Sequence, residues 1–326
     1  MKVLITGHRG FIASNLPTAL KKLGHTVISP RDLRLSQKIH TGEHCVFRNT
    51  EDEWTREIMW HGADLVIHNA ALVGTDVVAL NPTEATLSNV AGTYNISRAA
   101  EKAGVPLLYL GTTVIYDTDR YQDVPIDENS SHAPRTFYGS LKLAGEHIVR
   151  SHCNRWSIVR PLFCYGGIGD NNSLIAKSFF GALSNKDQID MFLDPNKIKD
   201  YMRVEDFCDA VATVAHNGMW GDDWNVSAET PENTGRIVDL MSEVSGHDFT
   251  RVVKWHPHTD YLGNHRLSSQ KFRDASGWTP KFSLYDGLKS SWDDIKNNMS
   301  YTDYNPLRYL EDAKNRGVNL TQFFNR

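Results

Sequence analysis

The chain has 326 residues and a net charge of −4. This length is enough for two lobes around one site or for one large α/β domain. The slightly acidic balance argues against a general nucleic-acid binder, because such proteins carry basic surfaces. The N-terminal run Val3-Leu4-Ile5 is too short for a signal peptide or a membrane span. We therefore expect a cytoplasmic protein that does not enter the membrane.

Cysteine and histidine spacing gives little support for a metal site or a disulfide framework. No Cys-x-x-Cys pair is present, so we interpret the four cysteines as reduced and mostly buried thiols: Cys45, Cys153, Cys164 and Cys208. His256, His258 and His265 lie close in sequence. They lack the neighbouring ligands of common metal motifs, so we interpret them as solvated loop histidines and predict no metal.

Short apolar runs alternate with helical stretches along the first half of the chain. Apolar runs predict strands over residues 2–6, 26–29, 64–68, 107–110, 157–160 and 224–227. Helical spacing predicts helices over residues 11–23, 84–103 and 139–152. Strand alternating with helix is typical of an α/β fold with a Rossmann-type, doubly wound parallel sheet.

A glycine-rich turn follows the first predicted strand, in the motif Thr6-Gly7-His8-Arg9-Gly10-Phe11-Ile12-Ala13. Gly7 permits a sharp turn, and Gly10 permits close approach of the backbone to a pyrophosphate. Ala13 is small enough for the helix to pack on the strand, and the helix N-terminus faces the negative charge. The turn predicts a dinucleotide site that includes Gly7, Arg9, Gly10, Phe11 and Ile12.

The end of the second strand indicates which dinucleotide binds. An acid there binds the ribose 2′-hydroxyl, whereas an arginine accommodates a 2′-phosphate. The chain reads Ser29-Pro30-Arg31-Asp32, and Arg9 adds a second positive charge, so we predict NADP(H). Two alternatives stay open. Asp32 serves NAD if the register slips by one residue, or both arginines are solvated surface residues.

The segment Tyr138-Gly139-Ser140-Leu141-Lys142 places a phenol and an ammonium on one helical face. The charge of Lys142 favours the phenolate and lowers the pKa of Tyr138, which suits Tyr138 to proton transfer. Thr112 follows a predicted strand at the sheet edge where ligands bind, and its hydroxyl is the predicted third catalytic group. Thr113 is the alternative for this role, and a turn-capping threonine is another.

An ordered series of motifs extends these two: His68-Asn69-Ala70-Ala71, Asn89-x-x-Gly92-Thr93, Leu110-Gly111-Thr112-Thr113, Arg160-Pro161, Tyr165-Gly166, Val204-Glu205-Asp206 and Gly277-Trp278-x-Pro280. With them, residues 1–295 resemble the extended short-chain dehydrogenase/reductase family of nucleotide-sugar epimerases, dehydratases and reductases. The resemblance implies an NAD(P)-dependent homodimeric enzyme with a nucleotide-sugar substrate. It implies cofactor contacts from Ala70, Ala71, Asn89 and Lys142, and substrate contacts from Thr113, Phe163, Asn172, Lys199 and Arg266.

Within that family the chain is most similar to the GDP-L-fucose synthases, through the string Gly7-His8-Arg9-Gly10 and the stretch around Arg31. Departures from the family patterns narrow the chemistry. Val114 and Leu174 stand where those synthases carry the Cys and His of 3,5-epimerisation. Thr113-Val114 stands where the 4,6-dehydratases carry Asp-Glu. Phe163 and Lys199 replace a customary Asn and Arg, which alters the expected sugar and diphosphate pockets.

Redox at one carbinol, C4 of the sugar, is the remaining chemistry. We predict a 4-keto sugar-nucleotide reductase, with a nucleotide-sugar 4-epimerase as the alternative. A second alternative is an NADP-binding sensor or scaffold without catalysis. Residues 1–165 are predicted to form the cofactor domain, to which residues 200–227 return. Residues 166–199 and 228–326 are predicted to form a smaller substrate-binding lobe.

Overall fold

The computed structural model describes residues 1–29, 50–167, 169–170, 173–184, 186–257, 260 and 262–297. Its strands are β1 (Lys2–Thr6), β2 (Thr26–Ile28), β3 (Leu65–His68), β4 (Leu107–Leu110), β5 (Trp156–Pro161), β6 (Phe163–Tyr165), β7 (Ile189–Met191), β8 (Ile198–Lys199), β9 (Tyr201–Arg203), β10 (Asp222–Val226), β11 (Glu232–Asn233) and β12 (Val253–Trp255).

The helices are α1 (Phe11–Lys22), α2 (Glu51–His61), α3 (Thr75–Leu80), α4 (Pro82–Thr86), α5 (Gly92–Ala103), α6 (Phe137–His152), α7 (Leu174–Leu183), α8 (Val204–Asn217), α9 (Thr234–Ser245), α10 (Phe249–Val252), α11 (Gln270–Ser276) and α12 (Leu284–Asn297). A π-helical turn (Leu87–Ala91) joins α4 to α5, and a 3-10 turn (Thr113–Ile115) follows β4. Within the described ranges, each helix is too short or too polar to cross a membrane.

The chain divides into two compact units. The first contains the described residues among 1–115, together with residues 134–161 and 208–224. The second contains the described residues among 116–133, 162–207 and 225–326. The sequence-based division assigns one part of the chain to the cofactor and another to the substrate. The two units are defined without any ligand, so that assignment stays a prediction.

A six-stranded sheet organises the first unit, in the order β10-β5-β4-β3-β1-β2. The pairs β2/β1, β1/β3, β3/β4 and β4/β5 are all parallel. The predicted Rossmann-type α/β fold is therefore confirmed. From β1 the chain builds β2 on one side and then β3 on the other, so the strand order reverses between β1 and β3. Ligands bind at such a switch point, outside the carboxyl ends of the strands.

The central strands could be predicted from the sequence because they are buried on both faces. All four residues of β3 and all four of β4 are buried, and β1 is buried from Val3 onward. Buried parallel strands appear in sequence as continuous apolar runs. On one face, Trp54 and Ile58 of α2 and Ile96 of α5 pack into a common core with these strands.

The predicted helix over residues 84–103 is confirmed: α4, the π-helical turn and α5 follow one another without a break, and the residues that join them have helical backbone angles. Asn89 in the π-helical turn accepts from the Leu72 backbone N–H (2.7 Å) and donates to the Leu72 carbonyl (2.9 Å). A one-residue widening of the helix of this kind often accompanies a functional site. The Asn89–Leu72 contact joins residues 17 apart in the chain, so local spacing does not reveal it.

The second unit is built from short strand pairs around a helical core. Its pairs are β6/β9, β7/β12 and β8/β11. Ile175 and Phe179 of α7, Ile237 of α9 and Leu288 and Trp292 of α12 share one hydrophobic cluster. These two-residue and three-residue pairs supply few backbone hydrogen bonds, so the apolar cluster carries much of the unit's stability.

Candidate active site

The glycine turn after β1 is closely fitted to the segment after β3. Gly7 has a φ of 67°, in the left-handed region that favours glycine. A Cβ atom at Gly7 would lie 2.7 Å from Cα of Ala70. The Gly10 N–H donates to the Gly7 carbonyl (2.8 Å), which closes the turn before α1 begins. The structure therefore brings Gly7 and Ala70 together at the switch point.

The N-terminus of α1 suits an anion. Gly10 is the N-cap of this helix of 12 residues and has no side chain to cover the first backbone N–H groups. Free N–H groups and the helix dipole attract phosphate oxygens. Arg9 and Gly10 are exposed, and Phe11 and Ile12 are partly buried. These residues fit the diphosphate of a dinucleotide.

His68, at the end of β3, connects three elements through its ring nitrogens. Nδ1 lies 2.7 Å from the Thr6 hydroxyl, and Nε2 lies 3.1 Å from the Thr93 hydroxyl. The Ala70 N–H donates to the same Thr6 oxygen (3.2 Å). Burial, and then the charge of Lys142, lowers the pKa of His68 to about 3. A neutral imidazole therefore holds the carboxyl ends of β1 and β3 in register.

Tyr138 lies in the first turn of α6, whose start is fixed by its cap and by close packing. The Thr136 hydroxyl accepts from the Gly139 N–H (3.0 Å). A Cβ atom at Gly139 would lie 2.7 Å from the Val114 carbonyl oxygen, so glycine permits α6 to approach the turn after β4. Tyr138 is partly buried and packs against a cluster that includes Leu72.

Lys142 is buried one helical turn after Tyr138. Its Nζ donates to the Leu110 carbonyl (2.6 Å) at the end of β4 and lies 4.0 Å from the centre of the Tyr109 ring. Burial lowers the pKa of Lys142 to about 7, and the nearby carboxylate of Glu146 opposes that shift. The predicted spacing thus places an ammonium at the sheet edge where the switch point lies.

Thr112 and Thr113 follow β4 at the same edge. Thr112 is 8% exposed, and its hydroxyl accepts from the Val114 N–H (3.4 Å). Thr113 begins the 3-10 turn and is 1% exposed. The greater exposure of Thr112 favours it over Thr113 as the hydroxyl that meets a substrate oxygen, and its turn contact agrees with the capping alternative as well.

A buried ion network behind Lys142 was absent from the sequence-based site. Nε and Nη2 of Arg160 in β5 donate to the two oxygens of Glu146 in α6, each at 2.8 Å. Nη1 of Arg160 lies 2.5 Å from a carboxylate oxygen of Asp223. Arg150 contacts both acids, at 3.3 and 3.4 Å. The sequence offered two separate signals, the position of Glu146 four residues after Lys142 and the Arg160-Pro161 motif, but nothing that paired them.

The predicted substrate residues Phe163, Lys199 and Arg266 lie in the second unit, around His265. Nζ of Lys199 donates to Asp260 (2.8 Å) and to the Gly263 carbonyl (2.6 Å). The Phe163 ring lies edge-on to His265 at 5.6 Å, and Arg266 donates to the Gln122 carbonyl (3.2 Å). The structure therefore gives the Lys199 ammonium internal partners; its role toward a substrate stays a prediction.

The interpretation of His265 as a solvated loop residue was wrong. Its side chain has 0% exposure, and neither ring nitrogen has a hydrogen-bond partner among the described residues. Burial, and then the charge of Lys199, lowers the pKa of His265 to about 3. His256, by contrast, is partly exposed and lies 2.8 Å from Asp190. Arg31, Asp32, Asn172 and His258 lie outside the described residues.

Similarity to known proteins agrees with this arrangement. The model of the NAD dependent epimerase/dehydratase family matches residues 3–227. The chain belongs to this family. The predicted resemblance to nucleotide-sugar epimerases, dehydratases and reductases is thereby confirmed. The likeness to GDP-L-fucose synthases in particular stays a prediction.

Two relatives and one solved structure illustrate what the chain is similar to. A UDP-glucose 4-epimerase of Mycolicibacterium smegmatis is 24% identical over 91% of this chain and 99% of its own length. A dTDP-4-dehydrorhamnose reductase of Shigella flexneri is 28% identical over 52% of this chain and 54% of its own length. The structure of RMD from Pseudomonas aeruginosa, complexed with NADPH, has a TM-score of 0.76. It is 19% identical and covers 91% of this chain and 99% of that one.

Proposed function

We propose that this enzyme is an NADP(H)-dependent reductase that acts at C4 of a 4-keto nucleotide sugar. The observation that carries the proposal is the position of Tyr138 and Lys142 on one face of α6, with the Lys142 ammonium buried against the end of β4. This pairing suits a proton transfer matched to a hydride transfer. The switch point between β1 and β3 suits the cofactor.

The chain's own groups have distinct roles in the proposed reaction. NADPH, when bound, supplies the hydride to the carbonyl carbon. The Tyr138 phenol donates its proton to the C4 oxygen, and the Thr112 hydroxyl orients that oxygen. Lys142 lies one helical turn after Tyr138, and a nearby cation favours a phenolate over a phenol. Ala70, Ala71 and the Asn89-held segment form one wall of the cofactor site.

The preference for NADP(H) is supported by Arg9 in the exposed turn and, in the sequence, by Arg31 three residues after the last residue of β2. Two guanidinium groups suit a ribose 2′-phosphate. Arg31→Ala and Arg9→Ala are each expected to weaken NADPH binding much more than NADH binding in a fluorescence titration. Equal losses for the two cofactors remove the NADP(H) assignment and leave NAD, with Asp32 as its ligand.

A 4-epimerase is the second candidate, and the similarity of 91% of this chain to a UDP-glucose 4-epimerase supports it. In that reaction Tyr138 would remove and then return the C4 hydroxyl proton, with no net change in cofactor. The two are separated by incubation with NADPH or NADH and a panel of UDP-, GDP-, CDP- and dTDP-sugars, including 4-keto-6-deoxy forms. Stoichiometric NADPH loss supports the reductase, and sugar interconversion without cofactor loss supports the epimerase.

Silence across that panel, with cofactor bound, would favour the sensor or scaffold. The retention of both Tyr138 and Lys142 argues for catalysis, because binding alone requires no proton donor.

We also propose a homodimer. Its support is the family resemblance together with Tyr94 of α5, which is 41% exposed and lies edge-on to His152 of α6. Light scattering on the purified protein tests this: a monomer mass removes the homodimer proposal.

A further inference from the structure

Glu146 is the buried acid closest in sequence to the candidate catalytic pair. Tyr138, Lys142, Glu146 and Arg150 follow one another at intervals of four residues along α6. Such residues lie on one face of a helix, one above the other. Glu146 is therefore the next group along this face after Lys142. Its side chain and that of Arg160 have 0% exposure.

The Glu146 carboxylate also lies against the turn that carries Thr112. A Cβ atom at Gly111 would lie 2.8 Å from a Glu146 oxygen and 3.0 Å from Cγ of Arg160. The space that a side chain at position 111 would fill is thus occupied by the ion pair. Gly111 permits this approach, and it stands directly before Thr112.

The backbone on either side of this contact is fixed as well. The Gly111 N–H donates to the Val159 carbonyl (2.8 Å), next to Arg160 in β5. The carbonyl of the preceding residue, Leu110, accepts a hydrogen bond from the Lys142 ammonium (2.6 Å). Two consecutive residues therefore lie beside the two side chains. Leu110 bonds to Lys142, and Gly111 lies close to Glu146. Because Arg160 holds both carboxylate oxygens, the carboxylate has a single orientation.

We propose that Glu146, clamped by Arg160, is a positioning residue that fixes the Lys142 ammonium and the Gly111–Thr112 turn relative to each other. The clamp joins α6, the end of β4 and β5 through one carboxylate. The effect of this arrangement on catalysis rests on the proposed function. The arrangement itself requires no substrate, so it is testable on the free protein.

Several charged or titratable groups face this pair. Lys142 faces His68 of β3, Tyr109 of β4 and Glu146 of α6. Glu146 faces Arg150 of its own helix, Arg160 of β5 and Tyr109 of β4, and the two arginines also contact Asp223. The negative charge of Glu146 supports the protonated form of Lys142, against burial. Its removal is expected to lower the pKa of Lys142.

The test is a nuclear magnetic resonance titration of protein labelled with [ε-13C]lysine. Burial lowers the pKa of Lys142 to about 7, so its signal is expected to titrate apart from those of lysines with the ordinary pKa of about 10.4, and the loss of that signal in Lys142→Met assigns it. In Glu146→Gln the midpoint is expected to fall by about one pH unit. Glu101→Gln is the matched control: its carboxylate lies on α5 and accepts from the Asn154 N–H (2.9 Å). The control is expected to leave the midpoint unchanged.

Glu146→Asp is a second variant in case Glu146→Gln fails to fold. It keeps a carboxylate to pair with Arg160, but the shorter side chain moves that carboxylate away from Lys142. It is expected to lower the midpoint in the same direction by a smaller amount. A purely structural Glu146 would lower the unfolding temperature but leave the Lys142 midpoint in place. An unchanged midpoint in folded Glu146→Gln or Glu146→Asp overturns the proposal.

The outcome is separable from that of the proposed function. A shifted midpoint with silence across the sugar panel would defeat the proposed function alone. Turnover on the panel with an unshifted midpoint would defeat the role of Glu146 alone. In an active enzyme, the basic limb of the pH profile is also expected to move to lower pH in Glu146→Gln by about the same one unit.

Discussion

The ammonium of Lys142 lies 4.0 Å from the centre of the Tyr109 ring, and both side chains are buried. The face of the ring attracts the cation, but the loss of hydration disfavours it. Burial lowers the pKa of Lys142 to about 7, and the nearby carboxylate of Glu146 opposes that shift. The charge that is proposed to activate Tyr138 therefore titrates within the range of ordinary assays.

The reduction rate is expected to depend on this titration. Lys142 is charged below its pKa and neutral above it, so kcat/KM should fall as pH rises through about 7. Lys142→Arg keeps its charge over the whole range and should lose this limb, at a lower maximal rate. A wild-type profile that is flat from about pH 6 to about pH 9 would contradict the role given to Lys142.

Tyr138→Phe is expected to lower turnover by about 10²- to 10⁴-fold, because it removes only the hydroxyl that donates the proton. Binding of NADPH, measured by fluorescence titration, should stay within about threefold of wild type, since no base or phosphate contact is lost. Tyr285→Phe removes an exposed phenol on α12 and serves as the control. Equal turnover in Tyr138→Phe and the control would defeat the catalytic assignment.

Gly7→Ala and Gly24→Ala form a matched pair at positive φ, 67° and 77°. At Gly24 no described atom lies within 4 Å of an added Cβ. Only the backbone cost of about 1 kcal/mol is expected there. At Gly7 the added atom meets the Ala70 backbone, so we expect a loss of at least about 2 kcal/mol together with loss of cofactor binding. Urea unfolding and cofactor titration measure both; similar results for the two variants would exclude a close Gly7–Ala70 fit.

Acid is expected to destabilise the first unit through His68. Its folded-state pKa, about 3, lies below the value of 6.5 expected for the unfolded chain. The unfolded state therefore binds more protons between these values, and stability is lost as pH falls from about 6.5 toward about 3. His68→Gln should reduce the slope of unfolding free energy against pH by about one proton in that window. An identical slope in wild type and variant would exclude His68 as the cause.

The sequence predicted those parts of the molecule that depend on local pattern. The strands β3 and β4 were found as apolar runs, and the spacing of Tyr138 and Lys142 follows directly from a helix. The π-helical turn around Asn89 was missed because helical spacing alone does not distinguish it from an α-helix, and the bonds of Asn89 to Leu72 join residues far apart in the chain. Burial of His265 was missed for a similar reason, since its strand bridge to Lys199 is a long-range contact.

The pairing of Glu146 with Arg160 also could not be predicted from local sequence. Arg160 is 14 residues further along, on a strand whose position beside α6 is known only from the fold. A Glu four residues after a Lys on a helix is ordinarily an exposed pair of small effect. Its burial beside Gly111 changes that reading, because a buried charge strongly affects the pKa of its neighbours.

The most direct test of the account is the fate of deuterium from NADPH that is deuterated at both positions of nicotinamide C4. The wild-type enzyme is incubated with this cofactor and each 4-keto-6-deoxy nucleotide sugar of the panel. We predict one cofactor oxidised for each sugar reduced, with deuterium at C4 of the product and about 10²- to 10⁴-fold less of it with Tyr138→Phe. A product that carries no deuterium at C4, or sugar conversion without cofactor oxidation, would contradict a C4 reductase.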